Sequence, residues 1–587
     1  MSSKIKYLFG NAESFLNTRT LLTRRFLIAL IVIYPFAFIW QGGDLTDSGF
    51  FAVRYRYFFD FLSMNEINIL TFFTDLIGAV WLKILSGVIA LNFLYLLFLY
   101  ACSGMVYLIL KDFTPNKNLL LLGVFIGDMF FIRFQYMVFN VDIASLLFLL
   151  ITVFCLIKGL KSGEKKLLFF AGINSAIACM ARLPDLTILV LVLVVIFHNE
   201  YLKHKDIGLK RITTRTLNNY FLYVSGFAFS CICMAGLLWH FGMLDAIKDD
   251  FLIVSLRAKD GGSSHGISRL LKNYFSELLI FVPHFIAIVF FTIAVSQIWK
   301  HSRNLLFSIS CSLIALVLIP IAYTGYSYGN DIKYFAPAFL LFPVSVILLG
   351  QVDRSRQAKF SSLILLSLGI SLVQVFGTAT GLFLKMNYGL MLVIPLMIIV
   401  LFEIRNTDLW GLKISWKPPL IMYMVIIFCA CLIIRLGWIY HVSSGLISRV
   451  RAVYSIDNDL MWGVHTTKDR AQYINEITHS IENHKGGDNT LFIYGTPLML
   501  YYLSNMRPFT KHIWITQNVI KPRVLFEDMS SRLIQSKQWP LIIDTKENAM
   551  GSEGKEYLDT FLADNHYTCV ENNKDYSIFK RDVIENY

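Results

Sequence analysis

QGGDLTDSGFFAVRYRYFF, residues 41–59, follows directly on the first apolar run and holds two carboxylates, Asp44 and Asp47. Its flanks decide how it is read. The preceding MSSKIKYLFGNAESFLNTRTLLTRR carries Lys4, Lys6, Arg19, Arg24 and Arg25 against Glu13. The segment 41–76 has the opposite bias, with Asp44, Asp47, Asp60, Glu66 and Asp75 against Arg54 and Arg56. Lysine and arginine stay on the cytoplasmic side of a membrane, so the run 26–40 reads as a span with the N-terminus inside and 41–76 outside. No small-residue cleavage motif follows the run, which reads as a retained signal anchor. The mixed aromatic and polar residues of FFAVRYRYFFDFL predict short amphipathic helices lying in the interface.

The whole composition agrees with a membrane protein. The 587 residues are 56% hydrophobic and 16% charged, with a mean hydropathy of +0.58. A soluble chain has about a quarter of its residues charged. The net charge of +13 does not point to nucleic acid, because the basic residues cluster in short segments between apolar runs. Eight of the nine cysteines lie in those runs and only Cys569 lies outside, which fits neither a disulfide framework nor a zinc cluster.

Apolar runs recur at about 84–110, 118–132, 143–157, 167–181, 186–198, 218–240, 277–298, 304–323, 335–349, 361–376, 386–402 and 419–439. With 26–40 they make thirteen spans. The connecting segments obey the charge rule; KGLKSGEKK, for example, has four lysines against one glutamate. Residues 441–587 differ in kind. Short apolar strands at 490–495, 540–545 and 576–581 alternate with amphipathic patterns at 496–505 and 555–564, which predicts a small α/β domain. The expected organisation is therefore an α-helical polytopic domain over 1–440 and, by parity, an extracytoplasmic α/β domain over 441–587.

Several residues at expected outer ends could carry chemistry. Asp44 and Asp47 form a D-x-x-D that suits a helix start, with Asp44 as the cap and Asp47 three residues on. Asp47, next to Ser48-Gly49 at the membrane surface, also suits a general base. Asp142, in FNVDIASLLF, stands where a cap would stand and also where a second acid would face outward. Arg182, in ARLPD, lies at an outer end against the charge rule, either pairing with Asp185 or gripping a phosphate. Lys333 and Tyr334, in NDIKYFAPAFLLFP, have a similar placement. The loop 241–275 gathers Arg257, Lys259, His265, Arg269 and Lys272; His265 sits among glycines and serines, as a solvated or phosphate-contacting residue would. The chain has no G-x-x-x-x-G-K-[ST] or G-x-G-x-x-G, hence no nucleotide cradle of those kinds.

The order of four pieces resembles the GT-C superfamily, in particular the dolichyl- or polyprenyl-phosphate sugar transferases. This group includes the aminoarabinose transferase of lipid A and the protein O-mannosyltransferases. The pieces are GGDLTDSGF, NVDIASLLF, AGINSAIACMARLPD and DIKYFAPAFLLFP. The resemblance implies an inverting transfer of sugar from a polyprenyl-phosphate donor to an extracytoplasmic glycolipid, polysaccharide or protein. Asp47 or Asp44 would be the base and Asp142 the second acid. Arg182, Lys333, Tyr334, His265 and Arg257 would contact lipid phosphate or substrate. Metal dependence stays open: some members hold a divalent ion, and Asp44, Asp47 and Asp142 have the oxygens that Mg2+ or Mn2+ takes. The chain departs from the family where Leu45-Thr46 separates the first acids and where Lys333 replaces an arginine. A bacterial inner membrane is the expected location. A lipid-linked polysaccharide polymerase or ligase, and a transporter or flippase, are the rival classes.

The parity argument has a direct test. A reporter fused at residue 460 should report on the side opposite the N-terminus; a cytoplasmic reading there reverses the face on which the acids lie.

Overall fold

The computed structural model describes residues 21–132, 138–204, 208–248, 267–279, 354–375, 386–403, 406–415, 439–447 and 451–581, apart from short gaps inside these ranges. The apolar runs form helices α1 (Leu21–Phe36), α2 (Asp47–Arg56), α3 (Phe58–Ser63), α4 (Phe72–Ile84), α5 (Val88–Leu110), α6 (Lys117–Ile132), α7 (Val141–Ser162), α8 (Lys165–Ala181), α9 (Ile188–His204), α10 (Leu209–His240), α11 (Arg354–Val373) and α12 (Leu390–Glu403). A 3-10 turn, Leu183–Thr187, leads into α9. Among the described residues four helical segments are long and apolar enough to cross a membrane: Val88–Leu110, Val141–Ser162, Leu183–His204 and Leu209–His240.

The short helices α2 and α3 stand where the aromatic stretch predicts them. Two boundaries differ from the sequence reading. The second run is preceded by a separate helix, α4, because the chain breaks at Leu85–Gly87, where Gly87 has φ +95°. Helix α10 begins at Leu209 rather than about 218, because its polar start, LKRITTRT, continues the helical register of the apolar run. The bodies of the expected spans at 277–298, 304–323, 335–349 and 419–439 lie outside the described residues, so the count of thirteen remains an expectation.

In lipid there is no hydrophobic drive between helices, and close packing relies on small residues. Helices α8 and α10 follow this rule. A Cβ added at Gly172 would lie 1.9 Å from the Tyr223 carbonyl oxygen, and one at Gly226 would lie 2.0 Å from that of Phe169. The glycines thus let the two backbones touch. Beside them Tyr223 donates to Ser175 Oγ at 2.8 Å, and Thr152 Oγ1 of α7 lies 3.2 Å from the same hydroxyl. A small polar knot joins three helices.

Toward the C-terminus come two isolated hairpins, β1–β2 (Asn406–Leu409, Leu412–Ser415) and β3–β4 (Ile439–Val442, Gly445–Ile447), and the short pair β5–β6 (Tyr454–Ser455, His465–Thr466). Strands β7 (Thr490–Tyr494), β8 (Arg507–Pro508), β9 (Leu541–Asp544), β10 (Tyr567–Asn572) and β11 (Ser577–Arg581) form one sheet in the order β10-β11-β9-β7-β8. Its centre, β7 with β8 and β9, is parallel, and β11 pairs antiparallel with both β9 and β10. The three strands expected from sequence are β7, β9 and β11. Helices α13 (Lys468–His484), α14 (Met499–Leu503), α15 (Pro522–Ser536) and α16 (Gly551–Asp564) complete the layer. One apolar core runs from the helical bundle into Ile474, Leu491, Tyr501 and Ile543; a second, around Phe492, Phe526, Leu558 and Phe561, fills the space beneath α15 and α16.

The segment around 41–49 joins the two parts. Met499 N–H donates to the Leu45 carbonyl at 2.8 Å, His465 N–H to that of Trp40 at 2.7 Å, and Gly42 N–H to that of His465 at 3.1 Å. Tyr502 OH accepts from Gly87 N–H at 3.1 Å, Arg56 donates to Asn505 at 2.6 Å, and Arg532 pairs with Glu66. Gly49 lies against the backbone of α14: an added Cβ would stand 2.1 Å from Met499 N. Forcing even a methyl there requires the two helices to separate. Gly49→Ala should therefore lower stability by about 1–3 kcal/mol, read as an earlier thermal unfolding midpoint in detergent; an unchanged midpoint would mean that α14 does not rest on α2.

Candidate active site

Asp44 is buried, and nearby donors engage both its oxygens. Oδ1 accepts from Thr46 N–H at 3.1 Å and from Thr46 Oγ1 at 2.7 Å; Oδ2 accepts from Ser48 N–H at 2.6 Å. These bonds satisfy donors at the start of α2 that the helix itself leaves open. Asp47 is the first residue of α2 rather than its third, and is only partly buried. Of the two acids, Asp44 organises the turn and Asp47 meets the surroundings.

Asp142 does not cap its helix. Asn140 does, accepting from the N–H groups of Asp142 at 3.1 Å and Ile143 at 3.2 Å. The Asp142 carboxylate faces away to other partners. Arg182 Nε lies 3.2 Å from its Oδ1, and Tyr388 OH donates to its Oδ2 at 2.7 Å. Arg182 also donates through Nη1 to Asp185 Oδ1 at 2.8 Å, and Ser145 donates to Asp185 Oδ2. The expected Arg182–Asp185 pair is present, with a second acid on the same guanidinium. All three charged groups are buried. This cluster joins the start of α7, the end of α8, the turn before α9 and the residues preceding α12.

A second buried pair stands close by. Arg54 of α2 pairs with Asp75 of α4, and Thr71 Oγ1 donates to the same carboxylate at 3.0 Å. Burial pushes the Asp75 carboxyl up to about 6, outweighing the opposing effects of Arg54 and Thr71. Thr74, next to Asp75, donates to the carbonyl of Ala181, the residue before Arg182, at 3.4 Å. Tyr55, next to Arg54, donates to the Phe139 carbonyl at 2.9 Å, three residues before Asp142. The end of α2, both charge clusters and the ends of α7 and α8 thus share one region.

Lys333, Tyr334, His265 and Arg257 lie outside the described residues. Among the described residues no three His, Cys, Asp or Glu side chains converge as ligands of one ion. Both oxygens of Asp44 accept from protein donors, while Asp142 faces Arg182 and Tyr388. Sequence reading passed over Tyr388 and Ser145, whose roles arise from contacts across 246 and 40 residues. It also passed over Asp128, buried in α6 with Ser103 donating to both its oxygens at 2.9 and 3.0 Å. An acid inside LLLLGVFIGDMFF was a signal of its own.

Removing one partner of a buried ion pair leaves an uncompensated charge, at about 3–5 kcal/mol. Arg182→Ala strands two carboxylates and should destabilise at least that strongly, seen as a large drop in unfolding midpoint or in folded yield. Arg182→Lys should recover only part of it, because an ammonium lacks the fork that reaches both acids; full recovery by lysine would show that one contact suffices.

The chain matches no protein-family model and no curated protein sequence. It is similar to several solved structures, among them the following three. The archaeal oligosaccharyltransferase AglB from Archaeoglobus fulgidus, in complex with an inhibitory peptide and a dolichol-phosphate, is 10% identical, with 96% of this chain and 75% of that chain covered and a TM-score of 0.46. ArnT from Cupriavidus metallidurans in the apo state is 10% identical, over 95% of this chain and 97% of that one, at a TM-score of 0.37. ArnT from the same organism bound to undecaprenyl phosphate is 10% identical, over 94% and 97%, at 0.39.

Proposed function

We propose that this chain is an integral-membrane glycosyltransferase that moves a sugar from a polyprenyl-phosphate donor to an extracytoplasmic acceptor, with inversion. The observation that carries this reading is the partly buried Asp47 at the first turn of α2, the helix whose last turn holds Arg54 of the buried Arg54–Asp75 pair. A transfer of this kind needs a base for the acceptor hydroxyl and a route for negative charge to leave with the phosphate. In this reading Asp47 takes the hydroxyl proton as the acceptor oxygen attacks the anomeric carbon. The carbon–oxygen bond to phosphate breaks on the opposite face, and its electron pair leaves on polyprenyl phosphate. A single displacement needs only this one carboxylate.

Asp44 sets the turn that presents Asp47. Asp142 and Tyr388 line the same region, and Arg182 acts as a positioning residue that fixes the Asp142 carboxylate. Compensation of the departing phosphate falls to Lys333 and to the cations of the 241–275 loop, Arg257 and His265. The hexosyl or pentosyl nature of the sugar, and whether the acceptor is glycolipid, polysaccharide or protein, follow from the same test. Transport is the rival that one observation favours: Asp128, a carboxylate buried within a helix at an apolar depth, is a feature of ion and proton pathways.

Purified protein in detergent should transfer sugar from one of a panel of polyprenyl-phosphate sugars. Asp47→Asn should lose at least ~100-fold in kcat, within the range for removing a general base, with an unchanged unfolding midpoint. Asp44→Asn should instead lower the midpoint, because it weakens the turn. Wild-type protein that uses no donor but moves lipid between vesicle leaflets would establish the transport reading in its place.

A further inference from the structure

Residues 465–470 of the α/β layer run against the loop that holds Asp44 and Asp47. His465 exchanges backbone hydrogen bonds with Trp40 and Gly42, and a Cβ added at Gly43 would stand 3.1 Å from Thr466 Oγ1. Within this six-residue segment two basic side chains have buried nitrogens that lack hydrogen-bond partners: Arg470 Nε and His465 Nδ1. Arg470 lies in electrostatic range of Asp44 but makes no ion pair with it, since Thr46 and Ser48 engage the Asp44 oxygens. Burial pushes the Arg470 guanidinium below the usual arginine range, and the Asp44 carboxylate opposes that shift.

Arg470 as a residue is partly exposed, but its Nε is buried, and a buried guanidinium N–H without an acceptor is costly; a native protein normally supplies one. The packed residues do not. Asp44 softens the cost at a distance without saturating the fork. What the fork matches is a planar or tetrahedral oxyanion, which it grips through two parallel N–H bonds. His465, as a second nitrogen-bearing side chain on the same segment, adds a donor when its Nδ1 carries the proton.

We propose that Arg470, with His465, forms an oxyanion subsite on the α/β layer for a phosphate or carboxylate group of the substrate. It rests on the transferase reading for its place beside Asp47, and it deepens that reading by assigning an anionic substrate. The phosphate of the lipid donor and an anionic group on the acceptor share this chemistry. The position of Arg470, on the layer that covers loop 41–47 rather than among the membrane helices, favours the acceptor.

The test uses the full chain in detergent and two probes: undecaprenyl phosphate, and a soluble hexose 1-phosphate standing in for an anionic acceptor. Affinity is read as protection against thermal unfolding. Wild-type protein should bind the hexose phosphate, and Arg470→Gln should weaken that binding about 10- to 100-fold, the loss expected for a charge-assisted contact. Arg470→Lys should keep part of it, and undecaprenyl phosphate should bind both variants as it binds wild type. Weakening confined to undecaprenyl phosphate would overturn the acceptor assignment and give the subsite to the donor. Equal affinities of wild type and Arg470→Gln for both probes would overturn the subsite itself. If Arg470→Gln does not fold, amide hydrogen exchange over 464–473 in wild type decides, since unchanged exchange with either probe also overturns the proposal. None of these readouts needs turnover: protein that binds through Arg470 but transfers no sugar would sink the transferase reading alone.

Discussion

A guanidinium shut away from water between two carboxylates is the constraint on which the membrane half of the site depends. Arg182 reaches Asp142 on one side and Asp185 on the other, and all three are buried. Such an assembly is weak as a source of stability, because desolvation offsets most of the attraction. Its value is direction. Once the guanidinium is in place, neither acid can turn away without leaving a bare charge, so α7, the end of α8 and the turn before α9 are held in one register. The Tyr388 hydroxyl extends that register to α12. Arg54 and Asp75 repeat the device between α2 and α4, and the Thr74 hydroxyl next to Asp75 donates to the Ala181 carbonyl.

These pairs cluster at helix ends, and the bilayer supplies the reason. Charge in the middle of a span is expensive, whereas at its end the headgroup region and a covering protein layer share the cost. Here the covering layer is the α/β part, which meets loop 41–49 through backbone bonds at Trp40, Gly42 and Leu45 and a glycine contact at Gly49. The loop is therefore enclosed from both directions. It can hold a fully satisfied carboxylate, Asp44, three residues from one that is only partly buried, Asp47, because Leu45 and Thr46 commit their backbones to the neighbouring layer and to the turn.

What the sequence made legible follows from the range of each interaction. Hydropathy and charge bias act over about twenty residues, and they located the helices from α5 to α10 and the three principal strands. Local turn chemistry put the cap at Asp44, whereas α2 starts at Asp47 with Thr46 in the capping position. It offered Asp142 as the cap of α7, where Asn140 takes that place, the two residue types capping equally well. The choice is made by Arg182 and Tyr388, the latter 246 residues away, which draw the aspartate to themselves and leave the cap to asparagine. Arg54 and Asp75 were visible only as members of a mixed-charge loop, since nothing local distinguishes a buried pair from two solvated side chains. Strand β8, two residues long, has no pattern to read.

The division between Asp44 and Asp47 bears on how a single acid can be set aside as a base. The three hydrogen bonds that Asp44 accepts commit both its oxygens to the turn. Asp47, three residues on, stands at the first position of α2 and is only partly buried. In the proposed reading the spacing Asp-Leu-Thr-Asp lets the first acid build the turn from which the second acts.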